Sequence, residues 1–430
     1  MVTDENNSKI MSVAMHRAAA LAPESPSPPK QFRGRGPLAL ALVWAATAFH
    51  AVAAAEPDTP PEEGFSVELA QSLRWDDNVF RLPDHVAPAP GESRSDRISR
   101  TALGLRFDRS YSLQRIVATA EIVQRSFAEN SRLDSTTAGG SVRWDWAYGK
   151  RWSGTAVLLQ REAPRSFADI DRRIRSINTL RRAGFDASYW WHPDWSLVGG
   201  VEQTRSRFSD GQSAASEYDE TALEAGLGYR PISGNRLALV FRHADGDYPN
   251  RSPSATVDSG YTQRDLRLRG VWTATGHSRL SGYVGYTQRT YPNVSRLDFE
   301  GPTARLVYDW MPTGKLSLRL VARREIGSEY EVIDNFVVTR GIAIEPRWAV
   351  TEKVTASAYA EWLRRDFGGS RVSPIGDDRS RIHGLRLNWE PLRTLTVTLS
   401  AQRARRSAAN PQFDYTATVY GLDLVLALLL

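Results

Sequence analysis

Between Tyr308 and Leu320 the chain reads Tyr-Asp-Trp-Met-Pro-Thr-Gly-Lys-Leu-Ser-Leu-Arg-Leu, and few folds can accommodate that pattern. Ala304, Leu306, Tyr308 and Trp310 alternate with Arg305, Val307 and Asp309, a period of two that only an extended strand can use. Pro312 and Gly314 mark a tight turn, after which Leu316, Leu318, Leu320 and Ala322 alternate with Ser317, Arg319, Val321 and Arg323. The unit is a hairpin with one apolar face and one charged face.

Variants of it recur at Trp144 to Trp152, Tyr189 to Leu197, Tyr229 to Leu237 and Trp389 to Leu395, each with an aromatic residue before the turn and an apolar one after it. The spacing, roughly forty residues, equals two strands and two connections, the cadence of an antiparallel meander. No composition break divides the chain after residue 65, so that region reads as one body. A hydrophobic content of 41% is too low for several membrane helices and thin for a soluble core of this length. A barrel in lipid needs only every second residue to be apolar.

The connections alternate in kind. Those near 108–112, 148–151, 192–194, 231–235, 275–278, 311–314, 349–352 and 390–394 are short. Those near 76–95, 126–135, 162–176, 206–217, 245–260, 291–298, 327–334, 366–377 and 406–412 are longer and polar. Short turns on one rim and long loops on the other predict an all-β, transmembrane, antiparallel up-and-down barrel of about eighteen strands, sixteen being the alternative, with short periplasmic turns and long extracellular loops. The expected location is the outer membrane.

Residues 1–32 carry no apolar period and read as a disordered N-terminal extension, or as an over-extended start preceding Met11 or Met15. Residues 33–55, with Arg33 and Arg35 ahead of an apolar run and small residues at Ala53 and Ala55, read as a signal peptide; an uncleaved anchor helix is the alternative. Residues 56–64 are a periplasmic leader, and 65–430 the barrel.

Two residue sets follow from the alternation. Trp144, Trp146, Trp191, Trp272, Trp310, Trp348 and Trp389 fall on strand ends beside the short turns, as an interfacial girdle requires. Arg74, Arg143, Arg267, Arg269, Arg305, Arg319, Arg323 and Arg386 alternate with apolar neighbours and are expected in the lumen, together with acids such as Glu68, Asp145, Glu224, Asp309, Glu325 and Glu361. Such arginines are candidates for contact with an anionic polysaccharide, although any wide aqueous lumen must be lined by polar groups.

Lysine occurs only at positions 9, 30, 150, 315 and 353, so the formal charge of +6 is carried by arginine. A GC-rich genome accounts for that, as does a need for rigid forks that hold phosphate or carboxylate. The arginines are spread along the chain and form no basic stripe, which argues against a nucleic-acid partner. The absence of cysteine excludes disulfides and thiolate metal sites. His85, His192, His243, His277 and His383 are far apart in sequence, and no nucleophile elbow, zinc helix or phosphate-cradling glycine loop is present. No catalytic residue, metal or cofactor is expected.

The segment Trp75-Asp-Asp-Asn-Val-Phe-Arg-Leu82 and the aromatic-x-Pro-Thr-Gly turn at Trp310 to Lys315 resemble the outer-membrane proteins of exopolysaccharide loci of the EpsL type, which accompany exosortase and PEP-CTERM systems and are grouped with β-barrel porins. That resemblance implies a non-enzymatic part in exopolysaccharide biosynthesis or export, as a conduit or assembly component. A barrel in the outer membrane has lipids and lipopolysaccharide as partners, and the resemblance adds an anionic exopolysaccharide and other export proteins. A general diffusion porin for small solutes is the alternative, and an outer-membrane enzyme acting on lipid or glycan a second one.

Overall fold

In the computed structural model, residues 63–168, 173–254, 257–327, 336–368 and 376–430 are described. The proposed extension and signal peptide, and most of the leader, lie outside them. The chain forms β1 (Gly64–Asp76), β2 (Asp96–Tyr111), β3 (Gln114–Phe127), β4 (Ser135–Tyr148), β5 (Trp152–Pro164), β6 (Ile177–Trp190), β7 (Trp195–Phe208), β8 (Tyr218–Tyr229) and β9 (Arg236–Asp247). It continues through β10 (Gly260–Thr275), β11 (Ser278–Thr290), β12 (Phe299–Trp310), β13 (Leu316–Gly327), β14 (Phe336–Ala349), β15 (Val354–Gly368), β16 (Asp378–Leu392), β17 (Leu395–Ala408) and β18 (Tyr415–Leu429).

These 18 strands make one sheet in which each pairs with its sequence neighbours, and β1 pairs with β18. The closing seam is antiparallel from Ser66↔Leu429 to Asp76↔Val419, so no edge strand is left open. Closure is obligatory in hydrocarbon, where each unsatisfied backbone group costs several kcal/mol.

The alternation runs along the strands, except at the extracellular end of β14, where Phe336, Val337, Val338 and Thr339 are all buried. On β1, Ser66, Glu68, Ala70 and Ser72 are buried toward the interior, while Leu69 and Leu73 are exposed on the exterior. Leu158, Leu223, Ile342 and Leu385 expose 58–65% of their surface to the outside. Contiguous apolar surface of this kind, unfavourable in water by about 25 cal/mol per Å², is what a barrel presents to acyl chains.

The short turns lie on the rim where β1 starts, and the long connections on the other. Trp144, Trp272, Trp310, Trp348 and Trp389 are 42–53% exposed near the short-turn ends of β4, β10, β12, β14 and β16, and Trp191 is 45% exposed in the turn after β6. Trp146 lies over Gly154 on β5 and stacks on Phe185 of β6, with ring centroids 5.6 Å apart. A Cβ on Gly154 would stand 2.7 Å from that indole, so the glycine is the seat of the ring. Toward the opposite rim, Trp75 stacks on Tyr420 across the closing seam at 5.7 Å, and Trp362 is exposed on β15. Exposed rings therefore occur toward both rims.

One seam is short. β12 and β13 pair only from Ala304↔Arg324 to Trp310↔Leu318, and at their extracellular ends β12 follows β11 while β13 follows β14. Phe299, Phe336, Val338 and Ile326 belong to one apolar cluster that fills this end of the barrel.

Candidate channel lumen

Every arginine expected in the lumen lies on the inward parity of its strand, and most are held by a carboxylate. Arg74 is 3.7 Å from Asp423, Arg143 2.9 Å from Asp145, Arg267 3.0 Å from Asp265 and Arg269 2.9 Å from Glu224. Arg305 lies 3.3 Å from Glu325, Arg319 2.6 Å from Asp309 and Arg323 2.8 Å from Glu361. Arg386 shares the inward face of β16 with Asn388 and Asp378. Arg242 sits among Glu220, Glu224 and Asp265 at 2.6, 3.8 and 3.5 Å.

The eight arginines differ in what can reach them. The side chains of Arg323 and Arg305 are only 4% and 8% exposed and act as wall, whereas Arg74, Arg143, Arg269 and Arg319 keep 15–26% of their surface open. A guanidinium and a carboxylate this close cancel at distances beyond the Debye length of about 8 Å, so the inner wall is polar but charge-compensated.

Two loops narrow the extracellular mouth. The segment after β1, Asp76-Asp-Asn-Val-Phe-Arg-Leu82, closes on itself. Asp76 accepts both arms of the Arg81 guanidinium at 2.8 Å and the Asn78 N–H at 2.9 Å. The Asn78 amide donates to the carbonyls of Leu82 and Thr416 and accepts the Leu82 N–H at 2.8 Å. Asp77 accepts the Thr418 N–H at 2.7 Å and ties the knot to β18. Arg81 adopts a left-handed φ of 56°, which the knot holds in place. Its products are Val79, Phe80 and Leu82, buried with Leu133 although they lie in a loop.

The β5–β6 connection packs onto that knot. Phe167 meets Phe80 edge-on with centroids 5.1 Å apart, and the next residue, Ala168, is buried against Tyr415 and Ala417 on the inward face of β18. Its carbonyl accepts a hydrogen bond from Arg406 of β17, which is itself paired with Asp378 at 2.6 Å. Strands β5 and β17 are six places apart around the ring, so the loop crosses a chord of the mouth. Arg173 holds Glu92 at 3.0 Å, Arg132 holds the same carboxylate, and Arg165 donates to Ser213 at 2.8 Å, fixing the crossing from its other sides.

Across the mouth, Tyr218, Tyr248, Tyr261, Tyr291 and Phe336 form a row with successive centroids 6.1–6.3 Å apart. The guanidiniums of Arg251 and Arg289 lie 3.6 and 4.0 Å from the Tyr248 and Tyr261 centroids. Tyr248, Tyr261 and Tyr291 are only 1–3% exposed, so the row thickens the wall and does not face the passage. Among the described residues, no group of three His, Asp or Glu side chains is placed to hold a metal ion.

One expectation is corrected. Arginines that look scattered along the chain do gather into a basic stripe, on the outer face of β13–β17, because cross-strand register aligns Arg324, Arg340, Arg364 and Arg379. Reading the chain linearly missed it. The available signal was that Arg379 and Arg381 share the parity of Leu385 and Leu387.

The family described as "Putative beta-barrel porin 2" matches residues 276–428, which hold β11–β18. Comparison with curated proteins gives no match. Among solved structures, OccK2 (OpdF) of Pseudomonas aeruginosa is similar with 13% identity and a TM-score of 0.48, over 86% of this chain and 100% of that one. The outer membrane protein opdK of the same organism gives 12% and 0.45, over 85% and 99%. OccAB3 of Acinetobacter baumannii gives 10% and 0.46, over 85% and 99%. The closed barrel with its apolar exterior is an outer-membrane β-barrel, and its C-terminal strands are similar to the porin family model.

Proposed function

We propose that the barrel is a general diffusion porin for small polar solutes. The observation that carries this reading is the combination of a charge-compensated inner wall with a mouth crossed by the β5–β6 loop. Paired arginines and carboxylates keep water in the passage and hold no solute tightly, and the crossing sets an upper size. In liposome swelling, pentoses and hexoses are expected to enter and long oligosaccharides to be shut out. Passage of long and short sugars at equal rates, or no swelling with any solute, overturns it.

A second reading is a part in exopolysaccharide export, with Arg74, Arg143, Arg267, Arg269, Arg319 and Arg386 as contacts for an anionic glycan. It is favoured by the Asp76–Leu82 knot, which builds part of the mouth from the very residues that carry the family resemblance. Gene deletion separates the two readings. Loss of secreted polymer with unchanged uptake of small solutes supports export, and the converse supports the porin.

A further inference from the structure

The outer face of β13–β17 changes abruptly from apolar to cationic on its way to the extracellular rim. On β14 the outward series runs from Ile344 and Ile342 to Arg340, on β15 from Ala360 and Trp362 to Arg364, and on β16 from Leu387 and Leu385 to Arg381 and Arg379. On β17 it runs from Leu399 and Ala401 to Arg403 and Arg405. Register sets these arginines directly opposite one another, as Arg324↔Arg340, Arg340↔Arg364, Arg364↔Arg379 and Arg381↔Arg405.

Like charges facing each other across strands, with Cβ atoms about 5 Å apart, repel unless something anionic lies between them. Asp366 answers part of this charge, at 3.4 Å from Arg340 and 2.8 Å from Arg364, and Asp377 lies 3.8 Å from Arg364. Arg379, Arg381, Arg403 and Arg405 are exposed and have no ion-pair partner among the described residues. Arg381, Arg403 and Arg405 line a groove of about 390 Å³ with Ala360, Trp362, Ile382, His383 and Glu361, the last held by Arg323 on the inward side. On β7 and β8 outward arginines instead meet acids, Arg205 and Arg207 being paired with Asp219 at 3.8 and 2.7 Å. Strands β8 and β9 turn Asp219, Asp245 and Asp247 outward at the same end.

We infer that this groove is a binding site for a phosphorylated glycolipid of the outer leaflet. Guanidinium forks match phosphate oxygens in pairs, and their height, just beyond the last outward leucines, is where headgroup phosphates lie. Trp362, Leu385 and Ile342 below the groove offer an apolar track for the acyl chains of the same molecule. The lipid-facing position selects a membrane lipid over a soluble anion.

Native mass spectrometry of the full chain in detergent, titrated with a bisphosphorylated diglucosamine lipid and with its dephosphorylated form, tests the site. The phosphorylated lipid is expected to bind at least tenfold more tightly. A variant carrying R379Q, R381Q, R403Q and R405Q is expected to lose that preference, and the corresponding lysine variant to keep much of it, with heat-modifiable migration unchanged in both. Equal binding of the two lipids by the natural chain overturns the proposal whether or not the glutamine variant folds. So does retention of the preference by a folded glutamine variant, or displacement of the lipid by millimolar inorganic phosphate, which marks an adventitious anion site only.

Discussion

Asp378 and Arg379 are consecutive residues of β16, yet they stand in opposite solvents. Asp378 points inward, has no exposed side-chain surface, and is shared by Arg365 at 2.5 Å and Arg406 at 2.6 Å. Arg379 points outward, opposite Arg364, with no carboxylate on it. The same contrast divides the arginines of the whole barrel. Inside, a guanidinium cannot be withdrawn from bulk water without a carboxylate, so the inner set is largely paired and structural. Outside, near the rim, water and headgroups are at hand, so arginines can remain open and the geometry selects what they bind.

The widest break in that contrast is expected at the inner residue. Asp378→Ala leaves two buried guanidiniums uncompensated and should cost about 3–5 kcal/mol, read as a lower urea midpoint of the detergent-solubilised barrel. A midpoint within error of the natural chain would mean that water reaches Arg406 and that the inner network is not structural.

A smaller effect is expected at the mouth. Phe167→Ala removes the ring from Phe80, and because Phe167 is only half-buried the local cost should fall below the roughly 3–5 kcal/mol of a fully buried phenylalanine. Because the loss falls on a loop and not on the sheet, it should appear as a larger and noisier single-channel conductance with unchanged strand content. Conductance equal to that of the natural chain would show that the crossing does not limit the passage.

Acidification should act on the same crossing more mildly. Burial opposes the charge on Glu92, but hydrogen bonds from Arg173 and Arg132 and from the Ala89 N–H hold its carboxyl below the ordinary glutamate value. A depressed carboxylate contributes stability that is fully present above its unfolded pKa and is lost as pH falls through the lower folded one. The clamp between the first loop and the β5–β6 loop should therefore loosen only in distinctly acid solution, seen as rising conductance there and none at neutral pH. Glu92→Gln should abolish that rise, and a rise of the same size in the variant would assign the effect elsewhere.

The least expected effect belongs to the outer residue. Arg379→Gln in detergent should shift stability by no more than about 0.5 kcal/mol, since nothing in the protein depends on its charge. A loss approaching that of Asp378→Ala would erase the distinction between the two faces.

Reading parity along each strand was enough to place Arg74, Arg143, Arg267, Arg269, Arg305, Arg319, Arg323 and Arg386 on the inward side, because side chains alternate whatever the rest of the fold does. Their partners were not legible. Arg323 finds Glu361 two strands away in the ring, and Arg269 reaches past β9 to Glu224. Likewise Asp76 to Leu82 could be seen as a distinctive loop with a family likeness, but not as a knot whose phenylalanine seats another loop. The stripe on β13–β17 escaped notice because its members are separated by 15 or more positions along the chain and meet only through register.

The amino-acid sequence by itself determined the period of two, the sites of the turns, the number of strands that follows from them, and which face of each strand meets lipid. All of these depend on residues next to one another. Only the tertiary structure decided that two extracellular loops turn into the mouth, that the inner arginines are largely neutralised, and that the outer ones form a groove. Each of those depends on where closure brings distant strands, and an alternating pattern carries no information about register around the ring.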